Sequence, residues 1–122
     1  MHGSNHSGIN TSCDLLARIL LSQGKFGDET RGLYERCLAI SIRNEGPDGF
    51  NTATGNFNIG GFYYRLTSIQ PTDDLKRKQL LLAKSHFVEA LRIQSRILGP
   101  THPGTIKVSS GLTTVLSELS LI

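Results

Sequence analysis

Two short segments of the chain share a plan. Gly46-Pro47-Asp48-Gly49-Phe50-Asn51-Thr52 and Gly99-Pro100-Thr101-His102-Pro103-Gly104-Thr105 carry Gly, Pro and Thr at the same offsets, 53 residues apart. A Gly-Pro pair interrupts regular structure, because Gly tolerates positive φ while Pro fixes its own φ and lacks an N–H. A fainter copy, Gly3-Ser4-Asn5-His6-Ser7-Gly8, matches the Gly, His and Gly of the last joint and lies 43 residues before the middle one. Self-similarity at a spacing of roughly 20–50 residues marks chains built from stacked supersecondary units.

The segments between the joints repeat as well. Leu33-Tyr34-Glu35-Arg36-Cys37-Leu38-Ala39-Ile40 aligns with His86-Phe87-Val88-Glu89-Ala90-Leu91-Arg92-Ile93 at the same offset of 53. Helical spacing puts Tyr34, Cys37, Leu38 and Ser41 on one face, and Phe87, Ala90, Leu91 and Gln94 on its equivalent. The small residue lets a neighbouring helix approach and the aromatic fills the space beside it. Earlier helical stretches run from Asp14 to Ser22 and from Thr52 to Leu66, so the unit is helix A, turn, helix B, joint. Gly24 suits the C-cap of the first helix A. The second turn, 67–74, is enlarged, with Thr72 or Asp73 available to cap the helix that follows.

In their combination SQGKF (Ser22–Phe26), LYERCLAI (Leu33–Ile40) and GPTHPGT (Gly99–Thr105), the residues resemble tetratricopeptide repeats of the kinesin-light-chain subtype. The chain departs from that pattern in four places, one of them an extra residue in the first turn. Gly49-Phe50 stands for the usual His-Pro, Thr30 for a small residue, and the second turn does not read QGKY. The resemblance implies an all-α fold, a right-handed superhelical solenoid of antiparallel helix pairs with about five helices. It makes residues 1–122 a single array: repeat 1 over about 9–45, repeat 2 over about 51–98 with the enlarged loop 67–74, and helix A of a third repeat over about 105–119.

In that family the A helices line a groove that binds a peptide or partner helix. Matching the A helices through Leu16, Ile59 and Leu112 points Asp14, Arg18, Asn58, Tyr64, Arg65, Lys107 and Ser110 inward, with Gly61 and Thr114 beside them. Asn58 matches an Asn frequent in the family, able to hold a peptide amide through both its donor and its acceptor. Arg18, Arg65 and Lys107 suit an acidic ligand, Arg65 with a bidentate fork. Tyr64 offers an apolar face with a polar tip. Each also has an ordinary structural reading. Arg18 and Lys107 read equally as solvated cations, Asn58 as a brace for neighbouring backbone, and Tyr64 as a ring packed on the enlarged loop. Tyr63 reads as core. A small residue at Gly60 fits the repeat, whereas Gly61 does not follow from it.

Composition narrows the alternatives. Of 122 residues 38% are hydrophobic and 19% charged, a globular balance. The net charge of +3 is a mild excess, without the dense basic face of a nucleic-acid binder. Lys76-Arg77-Lys78, after Asp73-Asp74, reads as a solvated first helical turn. A nucleic-acid role would require that run to merge with Arg65 and Lys84 into one face.

Two cysteines, Cys13 and Cys37, are too few for a disulfide framework or a four-Cys zinc site. The opening MHGSNHSGINTS has no apolar leader segment, and no run is long enough to cross a membrane, so a reduced cytoplasmic protein is expected. His6 and His102 occupy equivalent joint positions, and His86 with Glu89 reads as a surface helix pair. There is no Walker loop, GxSxG or HExxH. The expectation is therefore a non-enzymatic scaffold or adaptor without metal or cofactor, whose partner is a protein or peptide, with self-association through the last helix. The alternative is a structural spacer of a longer solenoid, with no ligand of its own.

Overall fold

The computed structural model describes residues 15–122. Asp14, Cys13, His2, His6 and the faint first joint lie outside the described residues. Five helices follow one another, and no strand forms among the described residues. They are α1 (15–22), α2 (Asp28–Glu45), α3 (Phe50–Leu66), α4 (Asp73–Leu98) and α5 (Pro103–Ser120), with one 3₁₀ turn at Thr67–Ile69. No helix among the described residues is long and apolar enough to cross a membrane.

Helical periodicity sets which faces are buried. On α2 the buried residues are Thr30, Tyr34, Cys37 and Ser41, spaced by four, three and four. On α4 they include Leu80, Ala83, Phe87, Ala90 and Gln94, spaced by three and four. Such stripes are the apolar seam by which one helix docks on another. The aromatic–small pairs expected on these helices therefore face inward, while Leu38 and Leu91 flank the buried stripe half-exposed.

α3 lies between α2 and α4, and two of its glycines let those helices come close. A Cβ at Gly55 would sit 3.2 Å from Leu38 of α2, and one at Gly60 would sit 2.8 Å from the Phe87 ring of α4. Gly60 is thus required by a close approach. Gly61, by contrast, meets nothing within 4 Å. Around this seam Tyr34, Phe62, Tyr63 and Phe87 join Ile59, Leu80 and Val115 in one core. Tyr34 and Phe62 stack tilted at 5.8 Å, and Phe57 meets Phe87 at 5.5 Å. Ile59 and Phe62, at 2% and 1% exposure, each contribute about 1.5–3 kcal/mol by leaving water.

Side-chain contacts fix the helix directions. Thr105 Oγ1 donates to the Gln94 carbonyl, and Arg77 donates to the Ile122 carbonyl at the opposite end, so α4 and α5 run antiparallel. Lys107 lies over Phe57, and the Tyr64 hydroxyl donates to Glu118, so α3 and α5 run parallel.

Both described joints turn on a glycine that only glycine suits. Gly46 (φ +83, ψ 175) and Gly99 (φ +88, ψ 157) occupy a region closed to residues with a Cβ. Their N–H groups bond the Ile42 and Ser95 carbonyls at 2.8 and 3.1 Å. Pro103 then sits in the first turn of α5, where its missing N–H costs nothing, and the His102 ring Nδ1 accepts from Gly104 N–H at 3.0 Å as a cap. Gly49 has no side chain to cap α3. Instead the Glu45 carboxylate accepts from the Asn51 backbone N–H at 2.9 Å and from the Asn51 side chain. A Cβ at Gly49 would lie 2.4 Å from Glu45 Cβ.

The boundaries differ from the sequence reading in two respects. Helices α3 and α5 begin two residues before Thr52 and Thr105, at Phe50 and Pro103. The enlarged turn is shorter than 67–74: Thr67–Ile69 continues as 3₁₀ helix, and α4 begins at Asp73 because Thr72 Oγ1 accepts from Leu75 N–H at 3.2 Å. Asp73 and Asp74 then occupy the first turn, where the helix dipole favours carboxylates.

Candidate functional site

The residues expected to face inward divide between two cavities along α3. The first, about 400 Å³, gathers Arg18 from α1, Phe57 and Asn58 from α3, Gln94 from α4, and Lys107 from α5. Three helices far apart in sequence thus bring Arg18, Asn58 and Lys107 to one place. Lys107 Nζ lies 5.4 Å from the Phe57 ring centre, which holds the cation over an apolar wall. Gln94 is only 7% exposed, and its Oε1 has no hydrogen-bond partner among the described residues. A buried acceptor left unpaired costs about 1–3 kcal/mol, so this wall of the cleft is polar and under-satisfied.

Tyr64 and Arg65 do not join that cleft. They lie about two turns further along α3 and line a second cavity of about 370 Å³ with Phe26, Ser68, Lys76 and Glu118. Tyr64 neither packs alone on the 67–72 turn nor stands free: its hydroxyl donates to the Glu118 carboxylate of α5. That hydrogen bond raises the Tyr64 phenol above its ordinary value, with burial and the Glu118 charge adding to it. Ser110 is exposed and lines neither cavity. Thr114, one turn on, donates its hydroxyl to the Ser110 carbonyl at 3.0 Å. Asp14 falls outside the described residues.

Two further readings change. His86 is not a surface partner of Glu89. Its ring is half-buried, stacks on Tyr63 at 5.9 Å, and its Nδ1 lies 2.9 Å from Asn56 Oδ1. Burial lowers its pKa, against the opposing charges of Glu35 and Glu89. Tyr63, 8% exposed, is core, and burial followed by the Glu35 charge raises its phenol. The basic run is not one solvated face either. Arg77 donates to Asp74 and to the Ile122 carbonyl, Lys76 lines the second cavity along with Arg65, and Lys78 is exposed.

Sequence reasoning missed Gln94 and Phe57 as cleft residues. Gln94 lies on a B-type helix at a position that matches buried Ser41, so its repeat position marks it only as packing. Among the described residues no group of three or more His, Cys, Asp or Glu side chains is placed to hold a metal ion. No family model matches the chain, and no curated protein matches it at the level that marks a relative.

Proposed function

We propose that the chain is a protein–protein interaction module of the tetratricopeptide type, similar to the kinesin-light-chain subtype. In this reading α1, α3 and α5 are the A helices of a right-handed solenoid, and they line a groove for a peptide or helix of a partner protein. The single observation that carries it is the convergence of Arg18, Asn58 and Lys107 on one cleft, from three helices placed by a repeat register. Two cations and a carboxamide suit an acidic, extended segment whose backbone Asn58 engages. The role is that of a cytoplasmic scaffold or adaptor, with neither catalysis nor a cofactor, and neither nucleic acid nor a membrane as partner.

The test is a titration of the ¹⁵N-labelled chain with acidic peptides, followed by amide NMR. Shifts centred on Asn58 and Lys107, weakened about tenfold in Lys107→Glu, are expected. Absence of shifts there for every peptide would overturn the reading.

A second reading, a structural spacer within a longer solenoid, is favoured by one face of α5. At the offset of 53, Ser109, Thr113 and Leu116 correspond to Asn56, Gly60 and Tyr63, which α4 covers on α3. Leu116 is 43% exposed where Tyr63 is 8%. The same uncovered face is where self-association would occur.

A further inference from the structure

The second cavity has a composition of its own. Phe26 from the α1–α2 turn and Tyr64 from α3 supply apolar walls. Arg65 from the last turn of α3 and Lys76 from α4 supply two positive charges, and neither forms an ion pair with any described residue. Glu118 of α5 supplies one negative charge and accepts from the Tyr64 hydroxyl. The Ser68 hydroxyl donates to the Arg65 carbonyl at 2.9 Å, so its proton is already committed.

We propose that this cavity is a second binding site, for a single carboxylate carried on an apolar arm. Two cations against one carboxylate leave one positive charge, which a monoanion neutralises. A phosphate monoester, carrying about −1.5 to −2, would leave the cavity net negative beside Glu118. Arg65 receives the carboxylate through its fork and Lys76 as a point charge. The arm lies against Phe26 and the Tyr64 ring, in a volume of the size that small ligands occupy. The site goes beyond the groove reading and does not depend on it, because it shares no lining residue with the cleft of Arg18, Asn58 and Lys107.

The experiment titrates the ¹⁵N-labelled chain with phenylbutyrate, its uncharged amide, the blocked dipeptide acetyl-Phe-Glu-amide, and inorganic phosphate. At least one of the two carboxylates should shift the amides of Ser68 and Lys76. The uncharged amide should bind at least about tenfold more weakly, as should phosphate. Arg65→Ala and Lys76→Ala should each weaken the carboxylate about tenfold. Glu118→Gln, which still accepts from Tyr64, should tighten it by roughly threefold by removing a like charge. Binding by the free acid assigns the site to a small amphiphile, and binding by the dipeptide alone to a protein side chain; either supports the proposal. Equal binding of acid and amide, tighter binding of phosphate, or carboxylate shifts confined to Asn58 and Lys107 would overturn it, and the last result would leave the groove reading intact.

Discussion

At Gly46 and at Gly99 the backbone turns through nearly the same angles, yet the groups that close the turn come from different places. The later joint is self-contained. Its own His102 caps α5, and Pro103 starts the helix already shaped for it. The earlier joint borrows. Glu45, the last residue of α2, stands in for the missing cap, while Arg92 and Arg96 of α4 reach Asp48 at 2.8 and 3.5 Å. Equivalent backbone therefore does not require equivalent side chains. What the two joints share is the glycine that reverses the chain and a threonine whose hydroxyl donates to a backbone carbonyl, Thr52 to the joint's own Gly46 at 2.7 Å and Thr105 to Gln94 of α4 at 3.4 Å.

The largest effect that would break this equivalence lies at the glycines. Gly46→Ala and Gly99→Ala should each cost about 1–3 kcal/mol from backbone strain alone, since a Cβ at either meets no neighbour within 4 Å. Urea denaturation would measure both, and clearly unequal losses would mean that the two turns are not alike. Next come the caps. His102→Ala should cost about 1 kcal/mol at any salt concentration, whereas Glu45→Ala should cost about 0.5–1 kcal/mol and less as salt screens the exposed carboxylate. Equal salt sensitivity would erase the distinction between a self-contained and a borrowed cap.

The smallest effect concerns the α3–α4 seam between the joints. Because burial lowers the His86 pKa, the unfolded chain takes up a proton before the folded chain does. The stability tied to His86 is complete above about pH 6.5 and fades as pH falls through the lower folded value. The thermal midpoint should drop between neutral pH and about pH 5.5, and the drop should shrink in His86→Gln.

Much of the helical layout was legible because the buried stripes of α2 and α4 repeat at three and four residues and the joints announce themselves by Gly-Pro. The start of α4 was less so. Whether Thr72 or a residue further on caps a helix depends on where the 3₁₀ turn of Thr67–Ile69 leaves the chain, and no local pattern marks a single 3₁₀ turn. The clefts were half legible. A repeat register says which helix face a residue occupies, and it placed Arg18, Asn58 and Lys107 together. It says nothing of distance along the helix axis, so Tyr64 and Arg65 parted from them. Partners across helices, such as Tyr64 with Glu118 or His86 with Asn56, leave no trace at a fixed spacing in sequence.

The crowding at Gly49 bears on which side chains such a joint accepts. A His-Pro placed at 49 and 50 would drive a Cβ into Glu45, so the side chains of the later joint fit the earlier one only if Glu45 moves. The two turns share a backbone, but their side chains are not interchangeable.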